Sequence, residues 1–314
     1  MVKKRSAVGV ALLLVGLLLG CGGGGSVNGT TAVVVPPARG PGDFGQAMQF
    51  GGLARTYYLH IPATYAAGKS LPLVIMLHGR GGTGLNASGY MGMNRVADQE
   101  GFIVVYPDGT DQRSDSSFNA SWCCGYAQAN GLDDVGFISA LIDEMHQRYN
   151  VNLKMVYASG LSNGAMMAYY LGVRLADRLA AVAPVAGTIR GDEAPPTQPL
   201  SLVVFHGDAD DNVRYAGVSN KADGYRYNSV AENQAFWVQA DGCQPTPQVA
   251  QSEGGSKQTF SGCKAGTEVV YYTVKGGPHT WFEDGSVRAL PGRPGDEQSL
   301  AQLIWHFFKA HAKQ

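Results

Sequence analysis

A chain of 314 residues, 45% of them hydrophobic, is long enough to bury one substantial core. Its 24 basic residues stand against 25 acidic ones, a net charge of −1, so composition gives no hint of a nucleic-acid or charged-polymer partner. Five cysteines without a Cys-x-x-Cys pair or a spaced histidine set give no basis for a metal site.

In chain order, Met1-Val2-Lys3-Lys4-Arg5 is a basic start, and residues 7–20 are a short apolar run of mostly Ala, Val, Leu and Gly. Together they read as a signal peptide over residues 1–20, too short for a comfortable membrane span. Leu18-Leu19-Gly20-Cys21 has the form of a bacterial lipobox, so Cys21 is the expected lipidated residue and mature N-terminus. Leu19 departs from that form, where a smaller residue is usual; ordinary cleavage or a retained anchor helix is the alternative. Residues 21–45 are rich in Gly, Pro, Thr and Val and read as a flexible tether. Residues 46–314, with no internal repeat, are expected to form a single domain.

His60 lies in an alternating run and reads as a strand residue. Residues 71–77 are a buried strand ending in His78-Gly79-Arg80-Gly81-Gly82, a turn in which a backbone N–H can face a substrate without a side chain in the way. Aromatics interleaved with turn residues at 118–126 and 215–227 read as loops over a site, and residues 136–149 as a helix. Next, Met155-Val156-Tyr157-Ala158 leads into Gly160-Leu161-Ser162-Asn163-Gly164, followed by the helix-like 165–171. A strand, a G-x-S-x-G turn and a helix form a nucleophile elbow with Ser162 at its apex.

A second apolar strand, 200–205, ends in His206-Gly207-Asp208-Ala209-Asp210-Asp211-Asn212. A third, 268–274, ends in Lys275-Gly276-Gly277-Pro278-His279-Thr280-Trp281, and residues 300–312 have a helical pattern. Nucleophile, acid and histidine in this order are what the α/β-hydrolase fold requires, so a mostly parallel sheet with helices on both faces is expected. His78 precedes Ser162, and His206 precedes the acids, so His279 is the candidate base. Among the crowded acids Asp210 is preferred, because it leaves a short loop from which a carboxylate reaches His279 Nδ1; Asp208 and Asp211 read as turn or capping residues. The Asp208-x-Asp210-x-Asn212 spacing is not a calcium loop, since Val213 and Ser219 occupy the positions of its glycine and bidentate glutamate. The N–H groups of Arg80 and Asn163, the latter at a helix N-terminus, are the candidate oxyanion hole.

Six segments occur in order: His78-Gly79-x-Gly81-Gly82, Val104-Val105-Tyr106-Pro107-Asp108-Gly109, Cys123-Cys124-Gly125, Leu132-Asp133-Asp134-Val135-Gly136-Phe137, Gly160-Leu161-Ser162-Asn163-Gly164-Ala165-Met166-Met167, and Gly276-Gly277-x-His279-Thr280-Trp281. With them the chain resembles the polyhydroxybutyrate depolymerase/feruloyl esterase family of secreted α/β-hydrolases, from about Phe50 to the C-terminus. The resemblance implies a Ser162–His279–Asp210 triad and Arg80 in the oxyanion loop. Pro278, where glycine is more usual, and Asp211-Asn212, where a proline-containing turn is common, depart from the family pattern.

With Cys21 set aside for lipid, four cysteines remain in an exported chain. Cys243 and Cys263 flank a polar, Gly-rich excursion, and the resemblance favours their pairing; Cys123 and Cys124 are left as a vicinal disulfide, two thiols or partners in another pairing. Trp281, Trp122 and Phe118 are candidates to line an acyl or aromatic pocket, with core packing as the alternative for each. No cofactor or metal is implied, and membrane contact is expected only through the lipid on Cys21. The expected activity is hydrolysis of esters on feruloylated or acetylated plant polysaccharide, or of hydroxyalkanoate polyester. The alternatives are another acyl-transfer enzyme on the same fold, such as a peptidase or sugar acyltransferase, or a non-catalytic polymer-binding surface lipoprotein.

Overall fold

The computed structural model describes residues 37–111, 115–218, 226–283, 285–292 and 299–313. The leader over 1–20, Cys21 and the tether as far as residue 36 lie outside the described residues.

Short runs rich in Val, Ile, Leu and Ala become strands buried on both faces, β5 only along its second half. These are β3 (Leu71–Leu77), β4 (Ile103–Pro107), β5 (Val151–Leu161), β6 (Ala181–Val185), β7 (Ser201–Gly207) and β10 (Val269–Val274). They pair in parallel in the order β4-β3-β5-β6-β7-β10. Antiparallel flanks complete a ten-stranded sheet: β1 (Gly42–Phe50) and β2 (Leu53–Ile61) beside β4, and the hairpin of β8 (Gln248–Ser252) and β9 (Gly255–Phe260) beside β10.

The period of two along each strand divides the core into layers. Leu73, Ile75, Val156, Leu202, Val204 and Val269 point to one layer, against α4 (Asp134–Tyr149), α5 (Asn163–Arg174) and α6 (Val230–Asp241). Val74, Met76, Tyr157, Val203, Phe205 and Val270 point to the other, against α1 (Gly84–Tyr90), α2 (Met93–Glu100) and α7 (Leu300–Ala310). A short helix, α3 (Gly125–Ala129), follows the Cys123-Cys124 pair. This is the α/β-hydrolase architecture in one domain.

One boundary differs from the sequence reading. The tether was expected to run to residue 45, yet β1 begins at Gly42, because Phe44, Met48 and Phe50 alternate and Phe44 and Met48 pack on the core. The polar stretch before Cys263 is a β-hairpin, exposed along β8, whose strands carry no apolar face to betray them. Cys243 and Cys263 are bonded across its base. Closing that loop contributes roughly 3 kcal/mol by restricting the unfolded chain.

Candidate active site

The carboxyl ends of β3, β5, β7 and β10 lie along one edge of the sheet, where open α/β sheets hold their sites. Each delivers one loop.

Ser162 follows β5 and caps α5 with φ 56° and ψ −118°, a positive-φ backbone that a residue with a Cβ adopts only when its surroundings impose it. The neighbouring glycines do so. A Cβ on Gly164 would stand 2.2 Å from Leu77 O, and one on Gly160 would stand 2.6 Å from the Gly164 carbonyl. Strand and helix therefore approach as closely as the elbow demands only with glycine at both positions. The Ser162 N–H donates to Val185 O at 3.0 Å, and its carbonyl accepts from Met166 N at 2.9 Å, starting the helix.

The loop after β3 lies directly over this turn: a Cβ on Gly79 would be 3.5 Å from Ser162 Cβ. Fully buried His78 fastens the loop. Its Nε2 accepts from Gly109 N at 2.9 Å while Nδ1 donates to Gly79 O at 2.7 Å. Burial lowers the His78 pKa, which favours the neutral ring this pattern needs. Gly81 N donates to Ser116 O at 2.7 Å, and the Arg80 guanidinium grips Asp115 through Nε and Nη2 at 2.5 and 3.0 Å. The Arg80 side chain thus points to Asp115, leaving the backbone of the loop toward the serine.

Asn163, the first residue of α5, buries its side-chain amide against Phe118, accepting from the N–H at 2.8 Å and donating to the carbonyl at 2.9 Å. Its own N–H belongs to the first turn, where no intrahelical acceptor exists.

Asp210 and His279 come from loops laced together. Asp208 N donates to Val274 O and Ala209 N to Gly277 O, and Asp208 Oδ1 accepts from Gly276 N at 2.6 Å. The buried Asp210 carboxylate accepts from His279 Nδ1 at 2.8 Å through Oδ2, and from Asn212 N and Val213 N at 2.9 and 2.8 Å through Oδ1. Burial works to raise its pKa, but hydrogen bonds from His206 and His279, the His279 charge and the Val213 N–H outweigh burial and hold it well below the usual carboxylate range. Asp210 therefore stays ionised. Asp208 and Asp211 are exposed, and Asp208 is bonded to Gly276 N rather than to the ring.

Ser162, Asn163, Arg80 and His279 share a cleft of about 550 Å³. Trp122 lines it, joined by the bonded pair Cys123–Cys124 and Tyr227 from the two segments read as loops over a site, and by two residues not assigned to the pocket from sequence: Met166, one turn along α5 from Ser162, and Val213. The i, i+4 spacing of Ser162 and Met166 on a helix was the available signal. Two expected pocket residues are elsewhere. Trp281 is 5% exposed, donates from Nε1 to Met91 O at 3.2 Å and packs in the core beside Phe282. The chain bends at His279 and Thr280, and Trp281 and Phe282 beyond the bend are buried. Phe118 is fully buried with its ring 4.7 Å from His78, committed by its backbone bonds to Asn163. Among the described residues no group of His, Cys, Asp and Glu side chains converges as metal ligands would.

The family model described as esterase PHB depolymerase matches residues 55–238. The chain belongs to this family of carboxylic ester hydrolases. It is 29% identical to feruloyl esterase B of Piromyces equi over 233 residues, 72% of this chain and 42% of that protein, so it spans less than half of that relative's length. Against feruloyl esterase D of Neurospora crassa the identity is 26% over 272 residues, 82% of each. Acetyl xylan esterase from Aspergillus awamori superposes with a TM-score of 0.56 at 17% identity, covering 81% of this chain and 94% of that one, a likeness of fold.

Proposed function

We propose that this protein hydrolyses carboxylic esters through a covalent acyl-enzyme on Ser162. The observation that carries the reading is a serine held at positive φ in a strand-to-helix turn, sharing a cleft with a histidine whose Nδ1 lies 2.8 Å from a buried, ionised aspartate. His279, its proton kept on Nδ1 by Asp210, takes the Ser162 proton on Nε2 as Oγ attacks the ester carbonyl. The N–H groups of Arg80 and Asn163 stabilise the tetrahedral oxyanion. His279 returns the proton to the departing alcohol, and water then repeats the sequence on the acyl-enzyme.

For the acyl group we favour a hydroxycinnamate. Trp122 and Tyr227, their ring centroids 6.2 Å apart, give the cleft aromatic faces on which a planar acyl group gains more than acetate or hydroxybutyrate does. Feruloyl esterases among the relatives support the same preference. An exported location, with lipid on Cys21, suits the bonded cysteine pairs. The test compares kcat/KM for methyl ferulate, p-nitrophenyl acetate and hydroxybutyrate oligomers. Preference for methyl ferulate is expected, and dominance of oligomer cleavage would transfer the proposal to polyester.

A further inference from the structure

Joining adjacent cysteines closes no loop of chain, so the Cys123–Cys124 bond gains almost nothing from the entropy term that gives most disulfides their value. Nor is it needed as a fastener. The segment that carries it is already held by Asp115 on Arg80, Ser116 O on Gly81 N, Phe118 on the Asn163 amide, and Asn119 N on the buried Asp134 at 2.7 Å. What the bond changes is the surface. Two thiols would each carry a rotating side chain and a weak S–H donor. The bonded pair is fixed and without a donor.

That surface faces the cleft beside Ser162. Cys123 and Cys124 are 5% and 9% exposed, both line the cleft, and Cys124 Sγ lies 3.9 Å from Met166 Sδ. The sulfurs of Cys123, Cys124 and Met166 thus form one polarizable apolar wall, in the same cleft as the Trp122 and Tyr227 rings. His279 must protonate the leaving alcohol, so the alcohol belongs on its side. The sulfur wall carries no proton-transfer group and is left for the acyl group.

We infer that the Cys123–Cys124 disulfide is a specificity-determining wall of the acyl subsite, against which an aromatic acyl group lies with its ring in contact with sulfur. The inference rests on the ester-hydrolase reading given above. Sulfur–aromatic contact and the loss of a fixed wall together correspond to about ten-fold in selectivity.

The experiment measures kcat/KM for methyl ferulate and for p-nitrophenyl acetate in the wild type and in Cys123→Ala/Cys124→Ala. The ferulate-to-acetate ratio is expected to fall about ten-fold, chiefly through KM for methyl ferulate. A purely structural role would lower both substrates together and leave the ratio unchanged, and that result overturns the inference. Should the double variant not fold, the folded wild type is treated with a water-soluble phosphine, its thiols are counted by alkylation and mass spectrometry, and the same ratio is read. Cys243→Ser/Cys263→Ser, treated in parallel, separates out the other bridge. A wild type that does not turn over methyl ferulate overturns the substrate reading and this inference with it. A wild type that prefers methyl ferulate beside a variant that keeps the preference overturns the disulfide's role alone.

Discussion

Replacing Asp210 by asparagine tests the charge arrangement at the site with almost no change of shape. The carboxylate now takes His279 Nδ1 on Oδ2, where His206 Nε2, already committed to Val213 O, also stands 3.4 Å away, and accepts from Asn212 N and Val213 N on Oδ1. An asparagine can serve only one side with its carbonyl. If the carbonyl faces His279, the amide NH2 opposes two backbone donors, forfeiting two bonds worth about 1–2 kcal/mol each and leaving buried groups unsatisfied. If the carbonyl serves the backbone, the NH2 donates to His279 Nδ1 and moves the imidazole proton to Nε2, the nitrogen that must accept the Ser162 proton. The second arrangement wins by a few kcal/mol, so nearly all molecules hold the wrong tautomer. Loss of the negative charge beside the developing imidazolium adds to this. The expected fall in kcat is about 10⁴-fold, or about 5.5 kcal/mol, as for this change in serine hydrolase triads generally. Asp208→Asn keeps an acceptor for Gly276 N, and Asp211 is exposed, so each should stay within about ten-fold of wild type. Steady-state turnover of p-nitrophenyl acetate by the three folded variants is the assay. An Asp210→Asn enzyme within ten-fold of wild type, or a crippled Asp208→Asn enzyme, would refute the reasoning.

Further expectations concern the elbow, a buried acid and the export signal. Gly164→Ala puts a Cβ 2.2 Å from the Leu77 carbonyl, a backbone atom that cannot swing aside, and should lower the denaturation midpoint by an amount equivalent to at least 1–3 kcal/mol; a variant as stable as wild type would mean a looser turn. Asp241 is fully buried at the end of α6, with Oδ1 on Leu200 N, and burial raises its pKa to about 7. The folded state therefore binds a proton that the unfolded state releases near pH 4, and stability from this group falls as pH rises between about 4 and about 7. Asp241→Asn should melt above wild type at pH 8, the gap closing toward pH 4, whereas a gap independent of pH in thermal melts would contradict the assignment. Cys21→Ser should abolish lipid attachment and membrane partitioning in a bacterial host; mass spectrometry finding an unmodified N-terminus beyond residue 21 in the wild type would count against it.

Much of the fold could be read from the chain because its parallel strands are buried on both faces and so appear as unbroken apolar runs. The β8–β9 hairpin, polar on both sides, has no such imprint and was missed. At the site, chain order and loop glycines were enough to bring Ser162, Asp210 and His279 to one sheet edge, since strand ends determine where those loops emerge. The pocket walls were harder. Trp281 and Phe118 are as aromatic as Trp122, and only the tertiary bonds of Trp281 to Met91 and of Phe118 to Asn163 distinguish the rings packed in the core from the one lining the cleft. Proximity along the sequence carries no such direction.

The central claim is that Ser162 is an activated nucleophile, and covalent trapping tests it most directly. The purified protein is treated with a fluorophosphonate, which phosphonylates activated serines, and the adduct is located by tandem mass spectrometry. One adduct per chain on Ser162, formed in step with loss of esterase activity and absent in Ser162→Ala, is the predicted result. An adduct on another residue, or full activity with Ser162 unmodified, would contradict the account.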